Sequence, residues 1–281
     1  IRELFNNRNS PLLNRAIAGL YSPGSVFKAV VSMAGLDTKK INNNSGFFCP
    51  GKLNLGGREF NCWSKHDIQN LRQALMHSCN VFFYHLGLLL GPDSLNKYAL
   101  EFGLGSPTGI DLPSEAKGLV SSRSQKKTVK KEMWYPGDTL NFSIGQGDLL
   151  VTPLQAVKLM AIIANDGRII KPHLLKSIES KEINASKNYA KVNIKSELFP
   201  QIKLYLRGVV KEETGTAHIL DIGNLGIAGK TGTVQTGEMS RQHAWFVGFF
   251  PYDKPKIAFC VFLEHGGSSA ESCAVAKKMF E

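Results

Sequence analysis

Three short groups of residues in this chain have the types and spacing for acyl transfer, and a fourth could hold a metal ion. The first is Ser25 and Lys28 in YSPGSVFKAVVSMAGL, residues 21–36. Residues 25–36 read as a helix: Val26, Phe27, Ala29, Val30, Val31, Met33, Ala34 and Leu36 wrap its circumference, and Gly24 after Pro23 marks its start. A helix apolar on nearly every side is buried. Three-residue spacing places Ser25 and Lys28 on one face, where the amine can hydrogen-bond the hydroxyl. A lysine held among apolar groups loses hydration, which favours its neutral form and lets it act as a base toward that hydroxyl. The free N–H groups at a helix start can steady an oxyanion. Alone, S-x-x-K recurs by chance, and its plain reading is a surface pair.

Two further groups strengthen the first. Ser78, Cys79 and Asn80 give S-x-N between two helical stretches, and Lys230, Thr231 and Gly232 give K-T-G inside a β-rich run. Each alone reads as an ordinary turn or strand end. In this order and at this wide spacing they fit a serine acyltransferase.

The elements that must position them follow from periodicity and punctuation. NNNSGFFCPGKLNLGGREFNCW reads as loops with brief strands, and DIQNLRQALMHS as a helix that Asp67 can cap. NVFFYHLGLLLG and PDSLNKYALEFG read as helices ended by Gly91 and Gly103, and TPLQAVKLMAIIANDG as one stopped by Asn165–Gly167. RSQKKTVKK, residues 123–131, reads as a solvated basic loop, and SKEINASKNYAKV as a variable stretch. LGIAGKTGTVQT, HAWFVGFFPY and KIAFCVFLEHG read as successive antiparallel strands, and SAESCAVAKKMFE as a closing helix. The fold class is therefore α+β, with an antiparallel sheet flanked by helices and a mostly helical lobe over about 37–140.

The fourth group is Cys49, Cys62, His66 and Cys79. Three residues separate Cys62 from His66, as in many zinc ligand pairs, and twelve separate Cys49 from Cys62 and His66 from Cys79. Three thiolates and an imidazole complete a closed tetrahedral set, structural in character. With Cys79 between Ser78 and Asn80, a metal there would brace the cleft wall from behind. A disulfide plus a free thiol, or unpaired buried cysteines, remain as alternatives, though neither gives His66 a reason to join the set. Cys260 and Cys273 read as small apolar packing residues. His77, His85, His173, His218, His243 and His265 show no partner pattern and read as structural.

SIGQGDLLVTPLQAV at 143–157 and GKTGTVQ at 229–235 extend the match, and nearly the whole chain resembles the transpeptidase domain of class B penicillin-binding proteins, closest to the cell-elongation branch, the penicillin-binding protein 2 group. The resemblance implies a penicillin-binding/serine β-lactamase-like fold with five antiparallel strands, here one transpeptidase domain over 1–281; with only 24 residues before Ser25, fewer than that domain carries, the expectation is an N-terminally truncated domain that lacks some N-terminal strand of the sheet. It implies a D,D-transpeptidase that crosslinks peptidoglycan stem peptides ending in D-Ala-D-Ala, inhibited by β-lactam antibiotics. Ser25 would be the nucleophile, Lys28 its base, Ser78 the proton relay, Asn80 the orienting amide and Lys230 a source of positive potential. Thr231 and Thr233, flanking Gly232, would hold the terminal carboxylate, and the N–H groups of Ser25 and Thr233 the oxyanion. Acyl transfer itself needs no cofactor; some elongation-branch members carry metal ligands near the cysteine cluster, which favours structural Zn2+. In a parent protein the resemblance further implies the periplasmic face of the bacterial inner membrane, a single-pass anchor outside this fragment, and a RodA-type glycosyltransferase and MreC as partners.

The remaining bulk features bound the alternatives. With 34 Lys+Arg against 23 Asp+Glu, a formal charge of +11 attracts anions. No groove-reading helix or aromatic RNA motif accompanies that charge, so nucleic acid is not an expected partner. A β-lactamase would share S-x-x-K and K-T-G but needs a carboxylate device to activate water, and no signature for one is present. Five cysteines, an odd count, argue against a fully paired disulfide framework.

Overall fold

The structure, a computed structural model, describes residues 2–7, 10–178, 181–182, 190–235 and 242–281. Most of the variable stretch SKEINASKNYAKV lies outside the described residues.

The apolar run after Pro23 is built in two pieces. Gly24–Phe27 form a 3-10 turn and Lys28–Asp37 continue it as helix α1. Every residue from Val26 to Leu36 is buried, including Lys28 and Ser32. Ser25 stands in the 3-10 turn and Lys28 opens the α-helix, so the pair spans the junction of the two. Gly24 sits at φ +53°, and a Cβ there would come within 2.7 Å of Val234 Cγ2, so glycine is required by both conformation and space.

The next segment carries two antiparallel ribbons: β1 (Gly46–Cys49) pairs with β4 (Asp67–Asn70), and β2 (Lys52–Leu55) with β3 (Arg58–Asn61). The expected cap at Asp67 is corrected here, since Asp67–Asn70 is strand. Helix α2 (Leu71–Met76) starts at Asn70, whose side chain accepts from Gln73 N while Gln73 Oε1 accepts from Asn70 N. Helix α3 (Asn80–Glu101) breaks at Gly91, φ +74° and ψ 164°, just before Pro92. The two predicted helices thus meet end to end.

The basic stretch 123–131 is not a plain solvated loop. Ser122 caps a short helical turn, Arg123–Gln125, that runs on as a π-turn over Lys126–Lys130. Lys126 is buried and ion-paired at 2.6 Å with Asp138, in helix α4 (Pro136–Ser143), and Lys130 pairs at 2.5 Å with Asp148. The charges fold the segment back onto the chain because acidic partners stand 12 and 18 residues ahead.

Helix α5 (Pro153–Ala164) has the full capping box of Thr152 and Gln155, and Gly167 at φ +86° follows its end. After α6 (Leu198–Lys211) come β5 (Ala228–Val234), β6 (His243–Phe250) and β7 (Ile257–Leu263), an antiparallel sheet in that order, and then α7 (Ser269–Phe280). Among the described residues this sheet has three strands where the resemblance implies five, and the described residues before Ser25 form a turn of helix at Arg2–Phe5, turns and loops. The core runs from α1 through α3 and α5 to the inner face of the sheet, with Phe27, Phe82, Phe142, Phe199 and Trp245 fully buried.

Candidate active site

The 3-10 turn bearing Ser25 lies against the edge strand β5. A Cβ on Gly232 would stand 3.0 Å from the Pro23 carbonyl and 3.3 Å from Val26 Cγ2, so the residue after Thr231 must be small for the strand to reach the turn that carries Ser25. From the other side the SIGQG segment closes in: Gly24 N donates to Gly145 O at 2.9 Å, and a Cβ on Gly145 would lie 2.1 Å from Gly24 O. Ser25 is thus held between two backbone contacts.

Around it opens a cleft of about 450 Å³ lined by Ser25, Ser78, Asn80, Thr231 and Thr233, with Gln146, Thr216, Trp63 and Ser269 among its other walls. Lys28 and Lys230 stand behind this lining, both with no exposed surface. Lys28 Nζ donates to Ser78 O at 2.8 Å, Ser78 Oγ at 3.2 Å and Asn80 Oδ1 at 2.7 Å. The expected bond from Lys28 to Ser25 Oγ is absent among the described residues. Three acceptors on the Ser78–Asn80 wall match the three N–H donors of an ammonium, and they capture it. Burial pulls the Lys28 pKa down to about 8, against the opposing attraction of Cys62, Cys79 and Cys49. Lys230 is pushed well below the usual lysine range by burial first and then by Lys28, and its amine donates to Thr231 O at 3.3 Å and Thr231 Oγ1 at 3.4 Å.

Ser78 sits at φ +52°, a conformation a non-glycine residue adopts only under constraint. The constraints are visible: Cys79 N bonds Ala74 O, Asn80 N donates to Cys62 Sγ at 3.2 Å, and Asn80 Nδ2 donates to Asn61 O at 3.1 Å. With Cys79 buried and turned away, Ser78 and Asn80 face the cleft.

Behind that wall, one ligand atom each from Cys49, Cys62, His66 and Cys79 lies within 4.8 Å of all the others. His66 Nδ1 is 3.6 Å from Cys49 Sγ and 3.5 Å from Cys62 Sγ. Tetrahedral bonds of zinc to sulfur and nitrogen give an S···N edge of about 3.5 Å, so the cluster has the dimensions of a zinc shell. All five cysteines are free thiols. A hydrogen bond from the Cys79 thiol and backbone N–H groups hold Cys62 well below the usual thiol range, with burial opposing; Cys79 is pushed up because it keeps the proton of that hydrogen bond and is buried. The four residues fit the ion.

Two of the lining residues had weaker signals in the sequence. Thr216 Oγ1 lies 2.8 Å from Thr231 Oγ1, and Ser269 N, in the first turn of α7, donates to Thr233 Oγ1 at 3.0 Å. The TGTA after α6 and the SSAE at the start of α7 were the available cues, hydroxyls beside a glycine and a cap.

A serine on a buried helical turn, set against the edge strand of an antiparallel sheet with helices packed on it, marks the penicillin-binding/serine β-lactamase-like fold. The chain belongs to the penicillin binding protein transpeptidase domain family, whose model matches residues 2–281. Peptidoglycan D,D-transpeptidase MrdA of Acinetobacter baumannii is 34% identical over 298 residues, covering 99% of this chain and 44% of the relative. The Escherichia coli K12 protein of the same name is 34% identical over 288 residues, covering 94% and 46%. Among solved structures, Pseudomonas aeruginosa PBP2 in complex with WCK 5153 superposes with a TM-score of 0.90 at 34% identity, covering 99% of this chain and 64% of that one. PBP2 in its complex with MreC from Helicobacter pylori gives 0.91 at 32%, covering 99% and 52%. The chain spans about half the length of the curated relatives it matches.

Proposed function

We propose that this chain is the acyl-transfer part of a peptidoglycan D,D-transpeptidase of the elongation type. The observation that carries the reading is the convergence of Ser25, Ser78, Asn80, Thr231 and Thr233 on one cleft, with the Lys28 amine bridging Ser78 and Asn80. A stem peptide ending in D-Ala-D-Ala would place its carboxylate against the Thr231 and Thr233 hydroxyls in the positive potential of Lys230. Its penultimate carbonyl would face Ser25, with the N–H groups of Ser25 and Thr233 as oxyanion donors, each contributing about 3 kcal/mol. A neutral Lys28 has a lone pair and two N–H donors, so it would release one of its three wall acceptors and take the Ser25 proton as Oγ attacks; Ser78 Oγ, still bonded to Lys28, would return a proton to the leaving amine of D-Ala. An amine of a neighbouring strand then attacks the acyl-enzyme, forming the crosslink and freeing Ser25. β-Lactams would acylate the same serine.

Cys49, Cys62, His66 and Cys79 would hold a structural Zn2+ in this reading. Bound there, the ion would pin the Ser78–Asn80 turn through Cys79 and take no part in proton transfer. In the full-length protein we place this domain on the periplasmic face of the inner membrane, with a membrane anchor outside these residues and with MreC and a RodA-type glycosyltransferase as partners. No helix among the described residues is long and apolar enough to cross a membrane.

Fluorescent penicillin should label the native chain covalently and slowly release it, and Ser25→Ala should abolish the adduct. Rapid turnover of the penicillin would indicate a β-lactamase instead. Purified without chelators, the chain should carry about one equivalent of zinc; below half an equivalent, the metal assignment fails.

A further inference from the structure

We infer that His77 is a positioning residue that ties the Ser78 wall of the cleft to the K-T-G wall through the loop 212–217. This inference rests on the acyl-transfer reading above and adds to it a route by which the two walls are held at a fixed separation.

His77 is bonded on every side. Its N–H continues α2 by donating to Gln73 O, and its carbonyl accepts from Trp63 Nε1 at 2.9 Å. Its ring lies 2.7 Å from Gln69 Oε1 through Nδ1 and 3.1 Å from Thr214 Oγ1 through Nε2. The orientation of Gln69 is set, because its Nε2 donates to His66 O at 2.6 Å and Ile68 O at 3.2 Å. Oε1 must therefore accept, Nδ1 of His77 carries the proton, and Nε2 accepts from the Thr214 hydroxyl. One neutral tautomer satisfies both bonds. The next residue is Ser78 at φ +52°, which cannot relax without moving His77.

Thr214 and Thr216 flank Gly215, and a Cβ on Gly215 would come within 2.3 Å of Val209 O, so the loop is tightly folded against the end of α6. From that loop Thr214 reaches His77, Thr216 Oγ1 reaches Thr231 Oγ1 at 2.8 Å, and Thr216 N donates to Met76 O at 3.3 Å. Arg72 of α2 pairs with Glu212 at the loop's start. The result is a strap: α2 and Ser78 at one end, Thr231 at the other. No apparent sequence pattern links His77 with Thr214, 137 positions apart; the contact turns a histidine read as structural into one that sets cleft geometry.

The test resolves the noncovalent dissociation constant of fluorescent penicillin from its acylation rate for the native chain, His77→Gln, His77→Asn and Thr214→Val. Glutamine reaches the Nε2 position and can still accept from Thr214, whereas asparagine reaches only Gln69. His77→Asn and Thr214→Val should each slow acylation about tenfold with the dissociation constant changed less than about threefold, and His77→Gln should stay within about threefold of native. The His77→Asn/Thr214→Val double variant should be no slower than either single one, since both cut the same bond. Thr214 is exposed, so its substitution carries the test should the histidine variants fold poorly. Native acylation by Thr214→Val, or additive losses in the double variant, overturns the inference. If even the native chain takes no label at Ser25, the acyl-transfer reading fails, and the strap is judged by hydrogen exchange at the Thr216 amide. Thr214→Val should speed that exchange about tenfold; unchanged exchange sinks the strap.

Discussion

Raising the pH from about 6 to about 9 should change the protonation of Lys28 more than that of an ordinary lysine, and acylation of Ser25 should report it. The amine has no exposed surface and lies 5.3 Å from the centroid of the Phe83 ring, and burial lowers its pKa from 10.5 to about 8. That drop corresponds to about 3 kcal/mol in favour of the neutral amine. The neutral fraction is then about 1% at pH 6, about 10% at pH 7 and about 90% at pH 9. Because only the neutral form can take the Ser25 proton, the acylation rate constant should climb about tenfold per pH unit up to near 8 and then level off. Stopped-flow acylation with fluorescent penicillin across this range measures it directly. Lys28→Arg, permanently charged, should lose at least about a thousandfold at every pH. Stability carries the same sign: between about 8 and 10.5 the unfolded chain binds a proton that the folded chain does not, so the Lys28 contribution grows as pH rises through that window. A flat acylation profile, or one with its inflection at the ordinary lysine value, would refute the assignment of Lys28 as the base.

Other substitutions probe the scaffold. Gly145→Ala puts a Cβ at 2.1 Å from Gly24 O and a side chain at φ +73°, and should cost about 2 to 5 kcal/mol of stability with a large loss of acylation, read by thermal melting and penicillin labelling. Asn70→Ala removes the capping box of α2 and should destabilise by about 1 kcal/mol in a denaturant titration. Cys79→Ser should lower zinc content in elemental analysis and slow acylation, because the residue joins the Ser78–Asn80 turn to the cluster.

What could be read in the sequence was what depends on near neighbours. The spacing of Ser25 and Lys28, the apolar girdle around them, the breaks at Gly91 and Gly167 and the three β-rich runs are local signals, and the structure has each of them. The partners of Lys28 are 50 and 52 residues away, and a four-carbon stem can swing from Ser25 to that wall without any change in the local pattern. Asp67 reads as a cap because its pairing with Cys49, which makes it strand, spans 18 positions. The same holds for the basic stretch: Lys126 and Lys130 look like solvated charge until Asp138 and Asp148 are brought beside them. Thr216 enters the cleft from a loop and Ser269 from the first turn of α7, and their partners Thr231 and Thr233 are 15 and 36 positions away.

Among the described residues strand β5 has a bonded neighbour only in β6, and its other margin lies beside the turn that carries Ser25. A backbone margin left open in this way reads its guest by amide pattern more than by side chain. In the proposed reading, ligands that hold an amide and an anion in an extended line should share entry here whatever decorates them, while a side chain in place of Gly232 would press on the Pro23 carbonyl.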